Sequence, residues 1–257
     1  MNVGITASSR YNNYIVILTY LLKSKLHKPV LILYKSESVK KKVSDFIKHS
    51  KPFILFRLFI RFFIQGRSTS IDHLKEYAIL NNIDDWDISI LDICKKEDIF
   101  HKKVSNINSK TAIGVVKKKE VDLLINAGGG IFKLNLIKSP KIGILNTHMG
   151  YLPKYRGMNA LEWSLFYNEK IGVTLHFIEP GIDTGDILLF KEIPLNNNDT
   201  IASLRRKSLN IGLDLIIEGI TAIMNKKIKR IIQVNNEGKQ YFVMHPRLKK
   251  YVESKIS

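Results

Sequence analysis

Cysteine is nearly absent from this 257-residue sequence, which has Cys94 alone. A single cysteine cannot form a disulfide framework or a thiolate metal cluster. Cys94 lies in the apolar run ISILDIC, so we expect a small buried side chain there. The first residues, MNVGITASS, lack a basic stretch followed by an apolar one and do not resemble a secretory signal. The expected location is therefore a reducing cytoplasm.

Acidic residues are also scarce. The chain has 23 Asp and Glu against 41 Lys and Arg, a formal net charge of +18. Such a balance favours polyanionic partners, namely nucleic acid, an acidic membrane surface or a phosphorylated small molecule. The sequence is equally rich in Lys, Ile and Asn, a bias that AT-rich coding produces, so we do not favour nucleic acid as a partner.

No hydrophobic run is long enough to cross a bilayer as a helix. The longest, FILFRLFIRFFI, belongs to a basic and apolar insert at residues 36–67 and contains Arg57 and Arg61 on one helical face. An amphipathic helix lying in a membrane surface is one interpretation. We favour the other, a helix packed on a sheet with its arginine side facing solvent or a ligand.

What the sequence does contain is an alternation of apolar strands and helices. It predicts a Rossmann-like, doubly wound and mostly parallel sheet with helices on both faces. The expected strands are 2–6, 29–34, 86–91, 121–130, 142–148, 172–179 and 186–195. The expected helices are 14–25, 96–110, 159–168 and a long helix capped by Asp199 or Thr200. Two regions follow: a catalytic domain at 1–225, and a C-terminal β-hairpin and tail at 226–257, with the turn at 235–238.

An amide and an imidazole end one of these strands. In ILNTH, Asn146 and His148 are two positions apart and project from the same side of the strand. The carboxyl ends of strands in open α/β sheets are where ligands bind. Asp183 follows in the loop EPGIDTGD, between two glycines, Gly181 and Gly185, that permit a sharp turn.

These three residues suit acyl transfer to an amine. An imidazole can take the amine proton, a carboxylate can orient the ring, and an amide NH₂ can donate to the developing oxyanion. Each residue alone also has a structural explanation, because Asn146 could cap a turn, His148 could be buried and Asp183 could be a turn residue. No metal is implied, since His176 has no second ligand at metal-binding spacing.

Three segments then carry a family resemblance: AGGGIFKLNLI, ILNTHMGYLPKYRGMNALEW and GVTLHFIEPGIDTGDIL. They resemble the formyltransferases that take their formyl group from N10-formyltetrahydrofolate. The signature is N-x-H, then L-P, then a D-T-G loop, and it is matched by Asn146, His148, Leu152-Pro153 and Asp183-Thr184-Gly185. The resemblance covers about residues 1–225 and implies that Asn146, His148 and Asp183 are the catalytic trio.

The resemblance also implies a folate slot beside the trio. Its expected walls are the loop after the glycines and the loop that leads to Asp183. The candidate folate-binding residues are Gly129, Gly130, Ile131, Leu145, Gly181 and Ile182.

The acceptor amine distinguishes the members of this family. The residues after the long helix are too few for the C-terminal β-barrel of methionyl-tRNA formyltransferases. The first loop, ASSRYNN, lacks the glycines of glycinamide ribonucleotide formyltransferases, and no regulatory domain precedes the first strand. By elimination the chain most resembles the N-formyltransferases of dTDP- or UDP-linked amino-deoxysugars used for surface polysaccharides.

A diphosphate acceptor would fit the basic charge. Lys154, Arg156 and the helix start at Asn159 could bind an anion, and Arg10 is a further candidate. Alternatively, Lys154 and Arg156 flank a solvated turn or pair with Glu162.

A homodimer is expected. The alternatives kept are a methionyl-tRNA or other amine formyltransferase, and a non-catalytic binding or membrane-associated protein on the same fold.

Overall fold

The computed structural model describes residues 1–9, 12–35, 69–234 and 237–256, with the backbone alone at 69–73. Arg10 and the predicted insert at 36–67 lie outside these residues. Within the described ranges, no helix has the length and apolar character needed to cross a membrane.

The core of the protein is a mixed, mostly parallel sheet of seven described strands. Its spatial order is β3-β2-β1-β4-β5-β7-β8, with β7 antiparallel to both of its neighbours, β5 and β8, and every other neighbouring pair parallel. The strands are β1 Val3–Ala7, β2 Leu31–Lys35, β3 Phe100–Val104, β4 Leu123–Ala127, β5 Gly143–His148, β7 Gly172–Phe177 and β8 Ile187–Glu192. A second, two-stranded parallel sheet joins β6 Tyr155–Gly157 to β9 Lys239–Tyr241.

Helices cover both faces of the large sheet, because its strands are apolar on both sides. In β2, Leu31 and Leu33 pack into one hydrophobic cluster while Ile32 and Tyr34 pack into the other. The helices are α1 Asn13–Lys25, α2 Thr69–Leu80, α3 Ile90–Lys96, α4 Lys110–Lys118, α5 Leu134–Ile137, α6 Ala160–Phe166, α7 Ile201–Met224 and α8 Pro246–Ile256. The Rossmann-like fold class predicted from the sequence is confirmed.

Two predicted elements in the middle of the chain are wrong. Residues 86–91 do not form a strand, because Ser89 caps α3 and exchanges capping-box hydrogen bonds with Asp92. The expected helix at 96–110 is replaced by β3, a strand at the sheet edge with exposed lysines. A polar edge strand lacks the apolar alternation that identifies a buried one.

The C-terminal region also differs from the expected hairpin. β9 pairs in parallel with β6, some eighty residues earlier, and Ile231 forms an isolated bridge with Ile187 of β8. The chain then continues into α8. The predicted long helix is confirmed as α7, with Thr200 as its cap. Strand β7 is buried along its whole length.

Candidate active site

Polar side chains form a row across adjacent strands at the carboxyl end of the sheet. The register places Asn126 of β4 beside Asn146 of β5, and Asn146 beside His176 of β7. These strands are otherwise apolar, so each polar side chain needs a partner within the row. The partners are present: Asn126 Nδ2 lies 2.9 Å from Asn146 Oδ1, and Asn146 Nδ2 lies 3.0 Å from His176 Nε2.

The direction of these hydrogen bonds is set at Asn126 and at His176, the two ends of the row. The backbone N–H groups of Gly128 and Gly129 donate to Asn126 Oδ1, which leaves Asn126 Nδ2 to donate to Asn146 Oδ1. His176 Nδ1 faces the Phe177 carbonyl at 2.8 Å and donates to it, so Nε2 accepts from Asn146 Nδ2. Asn146 therefore has a fixed orientation, and its second amide N–H has no hydrogen-bond partner among the described residues.

His176 stays neutral in this arrangement. The residue is 1% exposed, and burial is the main cause that lowers its pKa to about 4. The neighbouring His148 acts in the same direction, while Asp183 and the Phe177 carbonyl oppose it. A neutral ring is required for Nε2 to accept the hydrogen bond of Asn146.

His148 and Asp183 meet beside this row. His148 Nδ1 lies 3.3 Å from Asp183 Oδ2, and His148 Nε2 lies 2.7 Å from the Tyr155 carbonyl. A carbonyl can only accept, so Nε2 donates to Tyr155 and Nδ1 faces the carboxylate of Asp183. The Gly157 N–H also donates to Asp183 Oδ2 at 2.8 Å and fixes that oxygen. The structure thus brings Asn146, His148 and Asp183 together, as the family resemblance implied.

The loop that carries Asp183 depends on its glycines. Asp183 itself has a φ of 54°, in the left-handed region that non-glycine residues rarely adopt. At Gly185, an added Cβ would lie 2.0 Å from the Phe177 carbonyl oxygen, so a larger residue does not fit without moving the loop. The sequence-based reading of this loop as a tight turn that aims one carboxylate agrees with the geometry.

A cavity of about 120 Å³ lies against the polar row. Asn146, His176 and Asp183 contribute polar groups to its wall. Gly130, Ile131, Gly181 and Ile182, four of the predicted folate-binding residues, also line it. Ile131 is 76% exposed and Ile182 is 38% exposed, so two aliphatic side chains face solvent at the cavity. Exposed aliphatic side chains beside polar backbone groups suit a flat heterocycle such as a pterin.

Two predicted folate-binding residues lie elsewhere. Leu145 is 0% exposed and packs in the hydrophobic core, because it alternates with Asn146 and points to the opposite face of β5. Gly129 serves the site through its backbone, which donates to Asn126 Oδ1 at 2.7 Å.

A second cavity, of about 200 Å³, opens on His148. Gly157, Asn159, Glu162 and Arg205 line it with His148, and it shares no lining residue with the first cavity. Glu162 is fully buried; its Oε1 accepts from Arg205, and its Oε2 has no hydrogen-bond partner among the described residues. The trio therefore contributes to the walls of two separate cavities.

The predicted anion site is not assembled. Lys154 pairs with Glu169, and Arg156 is buried, with Nε donating to Gln233 Oε1 at 3.1 Å. Asn159 precedes α6 in a left-handed conformation and makes no capping hydrogen bond. Its side chain instead donates to Glu162 and accepts from Met244 N. Arg10 lies outside the described residues.

Asn126 and His176 are the site residues that the sequence reasoning missed. His176 was considered only as a metal ligand, and no group of three His, Cys, Asp or Glu side chains in the described ranges could hold a metal ion. The available signal was a polar residue inside each of two apolar strands, LLINA and GVTLHF.

A family profile described as Formyl transferase matches residues 84–220, which is more than half of the chain. This chain belongs to the formyl transferase family. The match spans Asn126 to Asp183 and confirms the family that the motifs predicted. The family uses N10-formyltetrahydrofolate, in agreement with the predicted formyl donor.

Named relatives and solved structures extend this assignment. The methionyl-tRNA formyltransferase of Thermodesulfovibrio yellowstonii is 41% identical over 126 residues, covering 49% of this chain and 37% of the relative. That of Clostridioides difficile is 29% identical, covering 72% and 55%. The chain thus spans about half the length, or less, of these relatives. The phosphoribosylglycinamide formyltransferase of Anaplasma phagocytophilum shares the fold, with 18% identity, a TM-score of 0.60 and coverage of 93% and 92%.

The relatives correct the predicted acceptor. Four of them, 29 to 41% identical, are named methionyl-tRNA formyltransferase. Solved sugar N-formyltransferases at 16 and 21% identity share the fold alone. The prediction of a nucleotide-linked amino sugar is therefore wrong. It relied on too few residues for a β-barrel after α7, and a chain that spans only part of its relatives gives no such information.

Proposed function

We propose that this protein transfers the formyl group of N10-formyltetrahydrofolate to the amino group of methionyl-tRNA. The observation that carries the proposal is the shared name of the four relatives, combined with an intact Asn146, His148 and Asp183 group. The formal charge of +18 supports a polyanionic acceptor.

The donor belongs in the first cavity. Backbone groups of the Gly130 and Gly181 loops lie there beside Ile131 and Ile182, and the Asn146 amide reaches the same space. When bound, the folate supplies an activated formyl group. The free N–H of Asn146 donates to the formyl oxygen, and a single donor of this kind accelerates acyl transfer by about 10²–10³-fold.

The acceptor amine belongs in the second cavity, next to His148. In this arrangement the amine meets the formyl group at the trio, which borders both spaces. The amine attacks the formyl carbon while the formyl–N10 bond breaks. His148 Nδ1 takes the amine proton beside Asp183 Oδ2, which stabilises the charged ring, and returns a proton to the departing nitrogen. The predicted homodimer and cytoplasmic location remain predictions.

An acceptor panel tests the proposal. The purified protein is incubated with N10-formyltetrahydrofolate and one of three amines: methionyl-tRNA, glycinamide ribonucleotide or a dTDP-linked amino sugar. Uncharged tRNA is the control. We expect free tetrahydrofolate and formylmethionyl-tRNA to form in the mixture with methionyl-tRNA, and no tetrahydrofolate to form with the other two amines or with uncharged tRNA. Release of tetrahydrofolate with either of the other amines, and not with methionyl-tRNA, would contradict the proposal.

A further inference from the structure

Gln233 reaches the active-site loop from the C-terminal part of the chain, outside the segment that matches the family profile. The side chain is 9% exposed. Its Nε2 donates to two backbone carbonyls of the loop, Asp183 O at 3.0 Å and Gly185 O at 2.6 Å. Gln233 therefore binds the backbone on both sides of Thr184. One of the two carbonyls belongs to Asp183, whose carboxylate faces His148.

Arg156 sets the orientation of this amide. Its Nε–H donates to Gln233 Oε1 at 3.1 Å, and a guanidinium can only donate. Gln233 must then present its NH₂ to the loop, where the two N–H groups match the two carbonyls. A flipped amide would place its oxygen against both carbonyls, which are acceptors as well. Arg156 itself is held by a further contact to the Val234 carbonyl at 3.5 Å.

The loop needs such a restraint because Asp183 is held in an unfavourable conformation. Its φ of 54° is left-handed, and for a residue with a side chain that conformation persists only when neighbouring contacts impose it. Hydrogen bonds to the Asp183 and Gly185 carbonyls fix the peptide planes around it. With the backbone fixed, Asp183 Oδ2 remains between the Gly157 N–H and His148 Nδ1.

The surrounding segment anchors Gln233 in turn. Lys239 N donates to the Lys154 carbonyl, and β9 pairs with β6, the strand that contains Arg156. At Gly238, an added Cβ would lie 1.8 Å from the Pro153 carbonyl oxygen, so the two segments are in close backbone contact.

We infer that Gln233, oriented by Arg156, is a positioning residue that holds the Asp183 carboxylate against His148 for the formyl transfer proposed above. The inference rests on that proposed function for its kinetic consequence. Its structural part, the position of Asp183, can be measured without any activity.

The kinetic test is a double-mutant cycle between Gln233→Glu and Asp183→Asn. Gln233→Glu keeps the shape and the acceptor for Arg156 but removes both donors. Gln240→Glu, an exposed glutamine in the same segment, is the charge-matched control. We expect kcat to fall about 10- to 100-fold in Gln233→Glu, by analogy with small misplacements of catalytic groups, and to be unchanged in the control. In the Asp183→Asn background, Gln233→Glu should lower kcat by less than about two-fold. An equal loss in both backgrounds would overturn the inference.

The activity-independent test is amide hydrogen exchange at Gly157, whose N–H binds Asp183 Oδ2. We expect exchange to be at least about ten-fold faster in Gln233→Glu and in Asp183→Ala, and unchanged in Gln240→Glu. Gln233→Ala replaces Gln233→Glu if the latter does not fold, with the same expectation. Unchanged Gly157 exchange in a folded Gln233 variant would overturn the inference. If the unmodified protein transfers no formyl group, the proposed function fails, and the exchange measurement still decides the role of Gln233.

Discussion

Asn146 depends on its two neighbours for the orientation of its amide. Asn126 donates to its oxygen, and the neutral ring of His176 accepts from its nitrogen. An amide without these partners could rotate by 180° and present its oxygen to the substrate. The proposed catalytic role of Asn146 therefore depends on the whole row and not on one residue.

Asn126→Asp tests this dependence. The new carboxylate cannot donate to Asn146 Oδ1, so the Asn146 amide should reverse and lose its contact with His176. We expect kcat to fall by about 100-fold with little change in KM for the folate donor, because an oxyanion donor is lost. Steady-state kinetics measures both. The exposed Asn197→Asp is the matched control, and equal activity of the two variants would contradict the assigned row.

The depressed pKa of His176 predicts a pH dependence of stability. The ring ionises near 6.5 when unfolded and near 4 when folded, so the unfolded chain binds more protons between these values. The free energy of unfolding should therefore decrease as the pH falls from about 6.5 to about 4, by up to roughly 3 kcal/mol. Urea unfolding across this range measures it. His176→Gln, which retains an acceptor but does not titrate, should remove this part of the pH dependence. If the variant and the unmodified protein lose stability equally between pH 6.5 and pH 4, the assignment to His176 is contradicted.

The residue scale is also where sequence reasoning was incomplete. Asn146, His148 and Asp183 were predicted because their residue types fit one reaction and because the segments that contain them resemble the formyltransferases. Asn126 and His176 were not, because their roles depend on the register of β4, β5 and β7. Register joins residues 20 and 30 positions apart, as Asn126 to Asn146 and Asn146 to His176, and no short motif records it.

At the scale of elements, the Asp183 loop is limited by the space around its glycines. Gly185→Ala would place Cβ against the Phe177 carbonyl, which is backbone and cannot move aside. We expect a loss of about 2–3 kcal/mol of stability, as in overpacked sites, together with loss of activity.

Gly114→Ala is the matched control for this substitution. Gly114 lies inside α4, and an added Cβ would meet no atom within 4 Å. Alanine should therefore stabilise the helix by about 0.5–1 kcal/mol. Thermal unfolding compares the two variants. Equal effects of both substitutions would show that the Asp183 loop tolerates a side chain.

Predicting elements succeeded where a strand is apolar and buried. Strands β1, β2, β4 and β5 and the long helix α7 all follow from local patterns. Two predictions failed, the strand at 86–91 and the C-terminal hairpin with its turn at 235–238, and neither cause is visible in the amino-acid composition of the segment. A capping box at Ser89 starts a helix, and β9 finds its partner in β6 instead of in an adjacent segment.

At the scale of the whole molecule, the basic charge should control acceptor binding. If Lys and Arg side chains contact several phosphates of tRNA, raising the salt concentration makes the release of counterions on binding less favourable and weakens the complex. We expect the affinity for methionyl-tRNA to fall at least about ten-fold between 50 and 200 mM salt. Filter binding measures it, with methionyl-adenosine, which has no phosphate, as the control. A salt-independent affinity for the tRNA would contradict a phosphate-based acceptor site.

The central claim is that Asn146, His148 and Asp183 transfer a formyl group to methionyl-tRNA, and a single-turnover measurement tests it most directly. The protein, in excess and loaded with N10-formyltetrahydrofolate, is mixed with radiolabelled methionyl-tRNA and quenched at intervals. We predict conversion to formylmethionyl-tRNA by the unmodified protein, and rates at least about 100-fold lower for His148→Ala and Asp183→Asn with donor binding retained. No product with the unmodified protein, or equal rates in the variants, would contradict the claim.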